Sequence, residues 1–244
     1  MKYLKLFDTE SNYLAYRDGA NYLKPNVSLC DDNGKVYYNY SPFNGYDYVD
    51  LGLPSGTLWA TMNVGASKAS DAGLYFQWGD TSGYTADQVG TGEGQKKFAS
   101  DWSDYKWSID GSSTNFSKYN TAGSTLELED DAAHVNWGGD WHIPTPTQIK
   151  ELIDNTTSTW TTQDGVNGRL FTSKKDASKS IFIPAAGYAW GGSVRRSGGN
   201  GSVWSSLLLA DGAVDGQLLD VVSGGVNLYG DYRCSGLSVR GVGG

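Results

Sequence analysis

A chain of 244 residues is long enough for one or two domains with a true core. With 39% hydrophobic residues, 19% charged residues and 33 glycines, its composition excludes a coiled coil, a collagen and a disordered chain. The formal charge of -8 argues against a phosphate backbone as partner, and no run approaches the roughly 18 apolar residues of a membrane span.

Residues 1–45 read as a small N-terminal β module for attachment or assembly. Tyr3, Leu4, Leu6 and Phe7 open a short apolar strand, Asp31-Asp32-Asn33-Gly34 is a turn, and Lys35 to Tyr40 has strand propensity. A strand, turn and strand of this size cannot hold a core, so it must pack on the rest of the chain, on a partner or on copies of itself. The first residues, Met1 to Tyr16, contain no apolar leader region, so the chain is expected to be made in the cytoplasm without a visible signal peptide. Ser41 to Gly45 reads as a linker.

From Tyr46 the pattern changes. Asp47 to Leu51 alternates as a strand, Gly52 to Gly56 turns, and Thr57 to Met62 is a second strand. Leu74 to Trp78 is a short aromatic run. Residues 79–125 have no helical period and read as a long loop. Leu126 to Val135 is a short helical candidate. The clearest helix starts at Thr145-Pro146-Thr147-Gln148, a capping box with Pro at the first helical position, followed by Ile149, Leu152 and Ile153 at helical spacing. Arg169 to Thr172 and Ile181 to Pro184 read as strands. Residues 180–244 then contain no Lys, Glu, Thr, His or Met, a sharp compositional shift.

Searches for chemistry return little. His134 and His142 form no zinc pair, and Cys30 and Cys234 lie in no CxxC. There is no GxSxG, and Gly191-Gly192 and Gly198-Gly199-Asn200-Gly201 lack the Lys and helix of a phosphate loop. Glu127, Glu129, Asp130 and Asp131 fit an exposed acidic helix start better than a calcium loop. Arg169, Lys174, Lys175 and Lys179 fit a solvated loop better than an anion site. Asp101, Asp104 and Asp110 among Trp102, Tyr105 and Trp107 suit either a sugar-binding loop or one anchored by its own aromatics. No catalytic residue, metal or cofactor is expected.

Several longer motifs carry a family likeness. They are Val49 to Ala66 (VDLGLPSGTLWATMNVGA), Gly73 to Gly79, Asp131-Ala132-Ala133, Trp137 to Thr145, Ile183 to Tyr188, Val203-Trp204-Ser205-Ser206 and Gly236 to Arg240. In this order they resemble the Fibrobacter succinogenes major paralogous domain, a branch of the C-type-lectin-like fold shared with formylglycine-generating enzymes. The likeness covers about 46–244. It implies an α+β, turn-rich domain with short strands and about two helices. More weakly, Pro25 to Cys30 and Val36 to Asn39 resemble an N-terminal piece found on proteins of gut anaerobes and their phages.

Proteins of this kind are often the variable proteins of diversity-generating retroelements, in which the 3′ end of the gene is rewritten at template adenines. Rewritten Asn codons never yield Lys, Glu, Gln, Met or Trp, so the depleted tail is what such mutagenesis would leave. The resemblance then implies a variable region at about 189–235. Its diversified positions are Leu209, Asp211, Gly212, Val214, Asp215, Leu218, Asp220, Val222, Gly224, Gly225, Tyr229, Gly230, Asp231, Tyr232, Cys234 and Ser235. Leu218, Asp220 and Val222 alternate, so one strand face would carry them outward while Leu219 and Val221 pack inward. Arg195, Arg196 and Ser202 would extend that surface from a Gly-rich loop, and Trp190 is expected as an exposed-loop anchor. Trp190 and Gln217 are not reachable from Asn codons.

The resemblance has limits. The sugar and calcium motifs of calcium-dependent lectins are missing, and so is the cysteine pair of formylglycine-generating enzymes, so neither property carries over. The expectation is a non-enzymatic receptor-binding protein, encoded by a phage or prophage. It would be virion-associated, or else on a cell surface, and bind a protein or glycan on a bacterial surface. The N-terminal module would serve virion attachment or self-assembly, with no nucleic acid and no membrane insertion. The alternative is a fixed carbohydrate-binding adhesin.

Overall fold

The computed structural model describes residues 27–30, 36–40, 43–98 and 102–244. The chain divides into two compact units, Met1–Tyr46 and Asp47–Gly244. In the first, β1 (Val27–Cys30) and β2 (Val36–Tyr40) form an antiparallel pair. The strand expected at Tyr3 to Phe7 and the turn at Asp31 to Gly34 lie outside the described residues.

The second unit is mostly antiparallel sheet with two α-helices, an α+β arrangement. Its local signals act as the chemistry requires. Thr145 Oγ1 accepts from the Gln148 N–H at 3.2 Å, and Gln148 Oε1 accepts from the Thr145 N–H at 2.9 Å. Two otherwise orphaned donors are thereby satisfied, and helix α2 runs over Pro146–Asn155. The preceding helix α1 is shorter than Leu126 to Val135 would suggest. Leu128–Asp130 is a 3-10 turn, and α1 covers only Ala132–Trp137. Asp131 sets that start. One of its carboxylate oxygens accepts from the His134 N–H at 3.0 Å, the other from the Ile143 N–H at 2.7 Å.

Strands β3 (Tyr48–Asp50) and β4 (Leu58–Ala60) pair with the C-terminal β13 (Val242–Gly243), so the two ends of the unit share one sheet. A meander follows of β5 (Thr156–Gln163), β6 (Val166–Ser173) and β7 (Ser180–Pro184). Then come the short pair β8 (Tyr188–Trp190) and β9 (Ser193–Arg195), and a second meander of β10 (Asn200–Leu208), β11 (Asp215–Val222) and β12 (Gly225–Tyr232). β5 has no hydrophobic alternation, but its Thr and Trp residues suit a pleated surface. Arg169 stands on β6 and not in a loop. It is buried, and it donates to Ser158 on β5 and to the Val222 and Ser223 carbonyls.

The main core lies where α2 meets these sheets. Ile149 and Leu152 of α2 pack with Trp59, Phe171, Ile181, Ile183, Val203, Leu219, Val221 and Val242. A buried guanidinium closes the unit. Arg240 is fully buried and donates to Asn63 Oδ1, the Ala60 carbonyl and the Phe182 carbonyl, each at 2.9 Å. Burial lowers its pKa, and these three acceptors take the place of water.

Replacing Arg240 by Met keeps the stem and strands three buried acceptors. The expected loss is about 3 kcal/mol or more, read as a shift of the urea midpoint. Lys150→Ala, which removes an exposed pair with Asp154, should stay within about 0.5 kcal/mol of the parent.

Candidate functional site

Two-residue alternation gives the β10–β11–β12 sheet two different faces. Val203, Leu219 and Val221 enter the core. On the opposite face the register sets Ser202 beside Asp220, Asp220 beside Asn227, and Leu218 beside Tyr229. These five residues and Asn200 line an open cleft of about 740 Å3. Tyr188 from β8, Arg196 after β9, and Asp215, Leu228, Gly230, Asp231 and Tyr232 complete it.

Hydrogen bonds fix the floor. Ser202 Oγ donates to Asn200 Oδ1 at 2.8 Å, and Asn200 Nδ2 donates to Asp220 Oδ1 in a very short contact. Asp231 Oδ1 accepts from the Tyr232 N–H at 2.7 Å and from Ser235 Oγ at 3.2 Å. Burial nevertheless raises the pKa of Asp231, and the charges of Asp215 and Asp220 raise it further. Burial and the neighbouring Asp211 raise that of Asp215. The cleft thus holds partly desolvated carboxylates that repel one another.

Aromatic rings form the wall. Tyr229 is 68% exposed and Tyr232 45% exposed, while Trp190 stacks behind Tyr232 at 5.8 Å and Trp102 meets it edge-on at 5.9 Å. Trp190 is therefore no exposed-loop anchor: it lies half-buried on β8 and braces Tyr232. Behind it, Arg233 is fully buried. Its guanidinium donates to Tyr105 Oη and to the Lys118, Tyr119 and Ala213 carbonyls, and lies 3.9 Å from the Phe116 ring centre.

Of the positions expected to bind, Arg196, Ser202, Asp215, Leu218, Asp220, Tyr229, Gly230, Asp231 and Tyr232 come together in the cleft. Leu218 is 2% exposed and forms floor, not an outward-projecting contact. Ser202 is also nearly covered and sits on β10, not in a loop. Arg195 is exposed on β9 but outside the lining. Leu209, Asp211, Gly212 and Val214 belong to the β10–β11 connection, where Leu209 packs over Gly230. Val222, Gly224 and Gly225 lie at the far turn of the β11–β12 hairpin, tied down through Arg169.

Two expected positions are corrected outright. Cys234 is 1% exposed, packed with Tyr105 and Phe116, and burial pushes its thiol pKa up to about 12. Ser235 is fully buried and acts by orienting Asp231. Neither can touch a ligand in the cleft. Tyr188, Asn200, Asn227 and Leu228 line it without having been expected. Cross-strand register, a non-local property, sets Asn200 opposite Val222 and Asn227 opposite Asp220, while Tyr188 comes from β8 of a separate strand pair.

The other candidate sites resolve into structure. Tyr105 Oη donates to the Trp78 carbonyl at 2.8 Å and Trp107 Nε1 to the Gly79 carbonyl at 3.0 Å, so the aromatic loop is pinned by its own polar handles. In the acidic group, Lys118 Nζ lies 2.7 Å from Glu127, 2.9 Å from Glu129 and 2.5 Å from Asp130. An ammonium thus occupies the place a metal ion would take. Burial raises the Asp130 pKa, but bonds from Lys118, Tyr119 and Lys106 outweigh this and hold it low. His134 and His142 direct Nδ1 at the Trp141 and Asp140 carbonyls.

No family model, no curated protein and no solved structure matches this chain.

Two predictions follow from the electrostatics. A carboxylate with a raised pKa penalises the folded state as pH rises from its unfolded value, near 4, through its folded value. Asp215→Asn should therefore raise the thermal midpoint at pH 7, and the gain should vanish by about pH 4. A gain independent of pH would refute this origin. Lys118→Ala should expose the acidic group, so that calcium in the ~mM range raises the midpoint of the variant and not of the parent.

Proposed function

We propose that the protein is a non-enzymatic receptor-binding protein whose Asp47–Gly244 unit is a C-type-lectin-like domain of the Fibrobacter succinogenes major paralogous domain type. Its C-terminal strands are diversified by a retroelement. The observation that carries the reading is the coincidence of the cleft with the compositionally depleted tail. All thirteen lining residues fall between Tyr188 and Tyr232, within the segment that lacks Lys, Glu, Thr, His and Met.

The division of faces supports it. Substitutions at Asp220, Asn227 or Tyr229 alter the cleft and leave Val203, Leu219 and Val221 in the core. Asn200 and Asn227 suit unaltered target codons. The fixed motifs on either side brace the sheet. Trp204 N–H donates to the Ser238 carbonyl at 3.1 Å, and Phe76 N–H to the Leu237 carbonyl at 2.8 Å. Binding would rest on surface complementarity, with Tyr side chains as rigid contacts and Gly, Ser, Asn and Asp as adaptable ones. The N-terminal unit then serves attachment to a phage particle, with a bacterial surface protein or glycan as target. A fixed glycan-binding adhesin working through residues 102–107 draws less support, because Tyr105 is only 2% exposed.

Sequencing codons 180–244 across the source population tests this, together with a search for a nearby adenine-rich copy. Variation should fall on cleft codons at adenines of the copy and spare Trp204, Arg233 and Arg240. An invariant 3′ end with no copy would remove the diversification claim.

A further inference from the structure

The chemistry of the cleft narrows the ligand class, on the reading that this cleft is the binding face. At about 740 Å3 it has room for several ligand groups, beyond a single side chain. Asp215, Asp220 and Asp231 have no ion-pair partner among the described residues. The hydrogen bonds that Asp220 and Asp231 accept come from neutral groups, the Asn200 amide, the Tyr232 N–H and the Ser235 hydroxyl. Arg196 is the one cation of the lining, and it is exposed at the rim. Tyr229 and Tyr232 add aromatic surface, the second preset by Trp190 and Trp102.

Partly buried carboxylates without counter-charge are costly, and a ligand that brings positive charge relieves that cost. An anionic ligand would worsen it. A neutral sugar could bond to the carboxylates and stack on the tyrosines, but it would leave the charge uncompensated. A guanidinium offers both matches at once, a fork for carboxylates and a plane for aromatic faces. The strand-lined shape of the cleft suits an extended chain carrying such groups.

We propose that the cleft of this sequence binds an extended basic peptide segment, with an arginine or lysine side chain set between the carboxylates and the tyrosine wall. Arg196 opposes that ligand and limits its affinity.

The test is a titration of the full chain with a fluorescent peptide of alternating Gly and Arg residues. A Gly-Glu peptide, free arginine and neutral oligosaccharides serve as competitors. The Gly-Arg peptide should bind, the Gly-Glu peptide and the oligosaccharides should not compete, and free arginine should compete only weakly. Asp215→Asn and Asp231→Asn should each weaken binding about tenfold. Asn at 231 can still accept from Tyr232 and Ser235, so the fold is kept. Arg196→Asn should tighten binding, since Asn tolerates the positive φ of 55° at this position. Asp140→Asn, on an exposed turn away from the cleft, should change nothing.

Failure of the Gly-Arg peptide to bind would overturn the proposal, and so would binding indifferent to both aspartate substitutions. Oligosaccharide binding that survives them would assign the cleft to a glycan instead. Any of these, with variable codons still mapping to the cleft, would remove the basic ligand and leave the binding reading standing. An invariant 3′ end would remove diversification while the peptide titration stands on its own.

Discussion

Two crossed indoles decide where the β10–β12 sheet can lie. Trp78 Nε1 donates to the Ser205 carbonyl at 2.9 Å, and Trp204 Nε1 donates to the Phe76 carbonyl at 2.8 Å. Each ring is fully buried, so each N–H must find an acceptor, and each finds it on the segment that carries the other. The exchange locks residues 76–78 to β10 across more than a hundred positions of sequence. It also dictates Gly216. A Cβ there would lie 2.8 Å from Trp78 and 2.9 Å from Trp204, so β11 can pass over the two rings only without a side chain. Everything in the cleft is registered from that crossing point.

Buried arginines extend the same logic outward. Arg233 spends its donors on the 105–119 loop and on Ala213, and Arg169 clamps the far hairpin turn through Val222 and Ser223. Such bonds are directional, and a buried guanidinium left short of acceptors is costly. They hold both ends of the β10–β12 meander while leaving outward side chains of β12, Asn227 and Tyr229 among them, exposed. A sheet fastened at its ends and on one face can change the other face without losing its position.

What the sequence disclosed followed the range of each interaction. The α2 cap is complete within four residues, and its signature was legible as such. The alternation at Leu218, Asp220 and Val222 is likewise local, and it gave the correct face of β11, though not the 2% exposure of Leu218. Arg169, Arg233 and Arg240 were opaque, because an arginine is ordinarily exposed and only the fold reveals what it bonds. Asn200 and Asn227 were missed because cross-strand register cannot be read along one strand, and Tyr188 because it reaches the cleft from a different sheet. The polar β5 was missed because burial, not propensity, is what a hydrophobic pattern reports. Cys234 and Ser235 looked like the rest of the tail in composition, yet they follow Arg233 into the interior.

The acidity of the cleft follows from the same accounting of charges. Between residues 180 and 244 the only acids are Asp211, Asp215, Asp220 and Asp231, and the only bases are Arg195, Arg196, Arg233 and Arg240. The segment is formally neutral. Its charges are nevertheless sorted by the fold. Arg233 and Arg240 are fully buried and bonded to carbonyls, a side-chain amide and a phenol rather than to these carboxylates, and Arg195 lies outside the lining. Arg196 alone faces three aspartates. With no lysine in the segment, no other local residue can restore the balance. The scaffold therefore consumes the positive charge that the cleft lacks, and a segment neutral in sequence presents an anionic cleft in structure.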